Sequence, residues 1–249
     1  MKRLIAATAL TLLAGPAAAI DLDDLSAAER DAFRAEVRAY LLENPEVLME
    51  AIGILEERQQ ASAAEAEAMA VAANADLLYN SQFDFVDGNP DGDIVVVEFL
   101  DYRCGFCRRA HPEVDALIEQ DGNIRLVVKE FPILGEESVL ASQFAIATRI
   151  ALGDEAYAMV HDELMEMRGS VTEGSLRALA DDLGYDADAI LASMGDPIVE
   201  ATIQSNRTLA QRLGISGTPS FVFEEQLVRG YVPLDNMVDL VASLRDPAE

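Results

Sequence analysis

The 249-residue chain has two cysteines, Cys104 and Cys107, three positions apart in the stretch DYRCGFCRRAHP (101–112). Thiols at that spacing can ligate a metal, staple a loop or exchange electrons. The staple is poor reinforcement, because a bridge over two intervening residues closes a very small loop and the chain-entropy gain of a disulfide grows with loop length. A closed zinc site asks for four nitrogen or sulfur ligands; lacking a second cysteine pair, the chain can add only its two histidines, His111 and His161. Electron exchange suits the pair best, provided that the surrounding elements make one sulfur an acidic nucleophile.

The flanking sequence predicts such elements. Ile94 to Leu100 (IVVVEFL) is an apolar run broken only by Glu98, the pattern of a buried strand. A helix is predicted from about Gly105 to Gln120, so Cys104 stands where free backbone N–H groups and the positive end of the helix favour thiolate. Cys107 lies one turn further on the same face. Cys104 is then the nucleophile, and Cys107 is close enough to attack a mixed disulfide formed there. A C-x-x-C pair between strand and helix is a stronger redox signal than the spacing alone. Asp121-Gly122-Asn123 turns the chain into a second strand, Ile124 to Val128. Helical patterns fill Ser138 to about Leu213, Thr218 to Phe223 and Leu227 to Arg229 form a hairpin-like pair, and Leu234 to Leu244 is a last helix.

Upstream, Lys2 and Arg3 precede an apolar stretch from Leu4 to Leu13 and the small residues Ala17 to Ala19, the pattern of a secretory signal peptide over 1–19. Residues 20–79 read as helical. Ser26 and Glu29 make a capping box before Phe33, Val37, Tyr40 and Leu41, and Asn44-Pro45 is expected to begin a second helix with Asn44 as its N-cap. Leu48, Ile52, Leu55, Gln59, Ser62, Ala66, Met69 and Ala73 then form a heptad seam with a weak middle, suited to self-association or to packing on the chain's own domain. The main domain is expected over 80–249. With 45 Asp and Glu against 18 Lys and Arg, the net charge is −27, which argues against a nucleic-acid partner and for a solvated, repulsive surface.

VVVEFLDYRCGFC resembles the strand and redox motif of the thioredoxin superfamily, and SGTPSFVF resembles its proline loop. The helical block, inserted at about 136–200, resembles that of the DsbA group. RAYLLENPEVLMEAI, with DYRCGFCRRAHP and VVKEFPILG, is similar to the bacterial suppressor of copper sensitivity protein C (ScsC) family. The resemblance runs from about Asp31 to Arg245. It implies an α/β thioredoxin fold with a helical insertion, preceded by an N-terminal α-helical oligomerisation segment. It also implies a periplasmic thiol–disulfide oxidoreductase that acts as a trimeric disulfide isomerase.

The same resemblance implies roles by position. Cys104 and Cys107 are nucleophile and resolving thiol, and Gly105-Phe106 is the redox-motif spacer. Lacking a spacer histidine, Cys104 should be less acidic than in strong oxidants. Thr218-Pro219 is the cis-proline loop that meets substrate backbone. Glu98 is the buried carboxylate that takes the Cys107 proton, with Lys129 as its expected partner. Beyond the Cys104–Cys107 disulfide no cofactor and no metal are implied. The implied partners are exported proteins with disulfides, a membrane thiol reductase as electron donor, and further copies of the chain. Two alternatives stand: a DsbA-like dithiol oxidase, and a copper-binding protein in which the dithiol holds Cu(I). Met159, His161, Met165 and Met167 read as core at helical spacing, His111 as packing near the Pro112 kink, and Arg103, Arg108 and Arg109 as solvated neighbours of the thiols.

Overall fold

The computed structural model describes residues 26–246; the expected signal peptide lies outside the described residues. The chain divides into two compact units, one up to Gln60 and one from Ala61.

In the first unit, helix α1 (Ala27–Glu43) starts at the predicted capping box: the Glu29 amide donates to the Ser26 hydroxyl, and the Glu29 carboxylate accepts from the Ser26 amide. Helix α2 (Glu46–Ala73) follows. Asn44 serves the helix before it and not the one after. Its side-chain amide and its backbone N–H both donate to the Tyr40 carbonyl, so it closes α1. Phe33, Val37, Tyr40, Leu48, Ile52 and Leu55 are all exposed by two-fifths or more, and α1 buries none of its residues.

The second unit continues through α3 (Ala75–Tyr79), β1 (Phe85–Gly88), β2 (Ile94–Leu100), α4 (Gly105–Asp121) and β3 (Ile124–Glu130). Five helices follow, α5 (Glu136–Leu152), α6 (Asp154–Glu166), α7 (Glu173–Asp182), α8 (Ala187–Ser193) and α9 (Pro197–Arg212), and then β4 (Ser220–Phe223), β5 (Gln226–Arg229) and α10 (Leu234–Arg245). The sheet order is β1-β3-β2-β4-β5, with β2 and β3 parallel and the other pairs antiparallel. A parallel pair needs a crossover, and α4 supplies it. Gly122 ends α4 in the left-handed conformation (φ 70°) that glycine adopts without a Cβ clash. The strand β1 escaped the periodicity reading because only Phe85 of its four residues is buried.

Alternation along the strands gives each face its own core. Val96, Leu100, Leu126, Val128, Phe221 and Phe223 point to one face, with α4, α5, α6 and α10. Val97, Phe99, Val127 and Val222 point to the other, against Leu209 and Leu213 of the α9 end. Val71 and Leu78 are fully buried in that second core, so the end of α2 and all of α3 belong to the sheet unit. The unit therefore starts well before the boundary expected at 80.

Candidate active site

Cys104 is the N-cap of α4, extended at φ −78° and ψ 116°, and Cys107 sits one turn along. Both are free thiols. Cys104 is 7% exposed and Cys107 is fully buried. Across from them the Thr218–Pro219 peptide is cis, at the entry to β4, and the Cys104 sulfur lies 3.2 Å from the Thr218 carbonyl oxygen. The sheet explains the meeting: β2 pairs with both β3 and β4, so the loop before β4 arrives beside the loop after β2. Among the described residues, the buried Thr218 hydroxyl, one oxygen of Glu98 and Arg108 Nη2, all near the thiols, have no hydrogen-bond partner.

The two thiols are electrostatically opposite. A hydrogen bond from Cys107, together with the backbone amides of Cys107 and Phe106, holds the Cys104 thiol down at about 5 against the cost of burial. Cys107 is pushed far up, first because it shares its proton with Cys104 and then by burial and the nearby Glu98. At neutral pH the pair is thus one thiolate and one thiol. Phe106 is 60% exposed, and a Cβ on Gly105 would meet nothing within 4 Å, so the two spacer residues face open space.

Glu98 is buried on the same sheet face as the α4 core, where burial raises its carboxyl to about 8 against a lowering influence from His111. It is protonated at neutral pH when nothing else intervenes. Lys129 is not its partner. In the β2–β3 register Glu98 stands opposite Val128, and Lys129 stands opposite Phe99, so the two side chains point to opposite faces of the sheet. Lys129 forms a buried ion pair with Asp84 and also donates to the Leu77 carbonyl. One position in a strand decides this, and strand pattern alone did not reveal the register.

His111 also differs from expectation. It does not merely pack at the kink but faces two carboxylates, Asp162 at 3.3 Å and Asp115 at 3.6 Å. The arginines are more engaged than solvated flanks: Arg108 Nε donates to the Tyr102 carbonyl, and Arg103 reaches Glu137 and the Gly169 carbonyl. Two further residues escaped sequence reading. Asp101 is fully buried and its carboxylate accepts from the amides of Arg103, Ile133 and Leu134, which ties the redox loop to the loop between β3 and α5. Glu130 is buried and accepts from the hydroxyls of Tyr102, Tyr157 and Ser142. A carboxylate at a loop or strand end reads as solvated, and only the tertiary fold supplies those donors.

The chain belongs to the DSBA-like thioredoxin domain family, which matches residues 95–242. The copper resistance protein ScsC N-terminal domain matches residues 29–62, so both halves of the expected architecture are present. A thioredoxin-like oxidoreductase from Silicibacter pomeroyi is similar at 43% identity and TM-score 0.65, covering 70% of this chain and 98% of that one. A linker-deleted ScsC mutant from Proteus mirabilis is similar at 28% identity and TM-score 0.67, covering 92% of this chain and 100% of that one. The Na(+)/H(+) antiporter NhaA 1 of Salinispora arenicola is 30% identical over 139 residues, which is 55% of this chain and 21% of the antiporter. The chain spans about a fifth of the length of the curated relatives it matches.

Proposed function

We propose that the protein is a periplasmic thiol–disulfide oxidoreductase that isomerises wrong disulfides in exported proteins. The observation that carries this is the thiolate and thiol pair at the N-terminus of α4, with the cis Thr218–Pro219 loop 3.2 Å from the nucleophilic sulfur. The Cys104 thiolate attacks one sulfur of a substrate disulfide; a Cys104–substrate bond forms and the other substrate sulfur leaves as thiolate. In isomerisation a second substrate thiolate attacks the substrate sulfur of that mixed disulfide and frees Cys104, with no net change in oxidation state. In reduction Cys107 attacks Cys104 instead, giving the Cys104–Cys107 disulfide and a dithiol substrate. Glu98, whose carboxyl burial raises to about 8, is the acceptor for the Cys107 proton in the minor fraction of molecules that hold it ionised at neutral pH.

An isomerase needs its dithiol reduced, so a membrane thiol reductase is the expected electron donor, and the disulfide is the only redox group the reaction requires. The apolar side chains of α1 and early α2, exposed on a unit that buries none of them, support assembly with further copies of the chain, a trimer by likeness to the ScsC family. The sequence pattern of a signal peptide expected at 1–19 supports the location, and among the described residues no helix is long and apolar enough to cross a membrane.

Recovery of activity from scrambled ribonuclease by the reduced mature chain tests the proposal. Oxidation of a reduced substrate by the Cys104–Cys107 disulfide without reshuffling would assign the protein instead as a dithiol oxidase. The acid Cys104 thiol gives that reading its support, since a stable thiolate makes the disulfide the better oxidant. Tight Cu(I) binding with no disulfide turnover would assign the dithiol to copper.

A further inference from the structure

A cavity of about 290 Å³ opens beside α4 and is lined by Glu98, His111, Asp115, His161 and Asp162 among others. One ligand atom each from His111, His161 and Asp162 can be chosen so that all three lie within 4.8 Å of one another. From this geometry we propose that His111, His161 and Asp162 bind one divalent cation of the zinc class.

The donor set is two imidazoles and one carboxylate, which suits a borderline cation and leaves a fourth position for water or Asp115. His111 Nε2 and Asp162 Oδ1 are 3.3 Å apart. That matches the edge of about 3.4 Å in a tetrahedron whose metal–ligand bonds are about 2.0–2.1 Å. Asp115 Oδ2 lies 3.6 Å from the same nitrogen. His161 is held for ligation from behind. Its Nδ1 is 2.9 Å from the Tyr102 hydroxyl, which itself donates to Glu130, so Nε2 is the nitrogen left for an ion. Outer partners of this kind fix a ligating histidine's orientation.

A second observation is independent of the three ligands. Glu98 lines the same cavity, is 4% exposed, and has a carboxyl oxygen with no hydrogen-bond partner among the described residues. A buried orphan acceptor calls for something in the space it faces, and a hydrated cation supplies donors there. Asp87 and Glu119 add negative charge to the lining, which raises the local concentration of cations. His111 is on α4, and His161 and Asp162 are on α6, so a bound ion would clamp the redox helix to the inserted helices. The site uses neither cysteine, but its cavity is lined by Glu98, the proton acceptor proposed above, so a variant without the two thiols tests the metal site apart from that reading.

The test uses the mature chain carrying Cys104→Ser and Cys107→Ser, so that no thiol competes for metal. Zn²⁺ titrated by calorimetry should bind one equivalent per chain, and Co²⁺ should give visible ligand-field bands without sulfur charge transfer. Zn²⁺ should also raise the thermal midpoint, because an ion held only by the folded chain stabilises it by mass action. His111→Ala and Asp162→Ala should each weaken the binding about tenfold or more. Asp162 is largely exposed, so its variant keeps the test sound even where a change at buried His161 disturbs folding. Absence of saturable binding overturns the site, and so does binding that neither variant weakens, which would place the metal on the general acidic surface.

Discussion

At the scale of single residues, the site works through a difference between two identical side chains. Cys104 is acidic chiefly because Cys107 donates to it, and Cys107 is basic for the same reason. Alkylation of the reduced protein should therefore follow a single thiol with a midpoint near pH 5. Removing the donor by Cys107→Ala should move that midpoint upward. A pH profile of iodoacetamide reactivity reads both, and an unchanged midpoint in the variant would mean that the helix N-terminus suffices alone. Glu98 enters at the next step. If it takes the Cys107 proton, Glu98→Gln should leave attack by Cys104 intact and slow release of a trapped Cys104 mixed disulfide by about 100-fold. Rapid-quench kinetics of the two steps separate the outcomes, and equal release rates in variant and wild type would remove Glu98 from the proton route.

At the scale of elements, β3 shows how one strand serves two faces. Lys129 turns to the face of α3 and Asp84, and Glu130 ends the strand among hydroxyls. Asp84→Asn leaves the Lys129 charge buried without its counterion, which should cost ~3–5 kcal/mol in urea unfolding while the Cys104 alkylation profile stays put. A changed profile would return Lys129 to the redox site. Glu130 gives a pH signature. Burial raises its carboxyl from 4.5 to about 7, so the folded chain holds a proton there that the unfolded chain has already released. Its contribution to stability is present below about 4.5 and is lost as pH rises toward 7. The urea midpoint of Glu130→Gln should accordingly fall less between pH 5 and 7 than that of wild type; parallel curves would refute the assignment. These pairs also mark the limit of what the sequence discloses. The strand IVVVEFL, the helix starting at Cys104 and the capping box at Ser26 were legible because apolar period and cap chemistry are local. The side to which Lys129 turns depends on β-register, and the donors around Glu130 come from residues 12 to 28 positions away. The proline loop was legible only through its family motif, since a lone Thr-Pro carries no local signal for its isomer.

At the scale of the whole molecule, the chain combines a unit that can do thiol chemistry with one that exposes its apolar residues. Phe33, Tyr40, Leu48, Ile52 and Leu55 are each about half exposed, a pattern that costs solubility unless another copy covers them. The strong negative charge opposes assembly at long range, so any association must be carried by this apolar stripe and should strengthen with salt. The place to cut follows from burial. Val71 and Leu78 lie fully inside the sheet unit's second core, so a chain lacking residues 20–60 keeps its core, whereas one lacking 20–79 loses part of it. Sedimentation should accordingly find the mature chain as an oligomer and the chain from Ala61 as a monomer with an unchanged Cys104 alkylation profile. Reshuffling needs one catalyst to hold a substrate through several exchanges, and several joined active sites raise the effective thiol concentration around it. The monomer should then lose most of its scrambled-ribonuclease activity while still reducing a simple disulfide. Equal reshuffling by both forms would make the N-terminal helices a tether without a part in the chemistry.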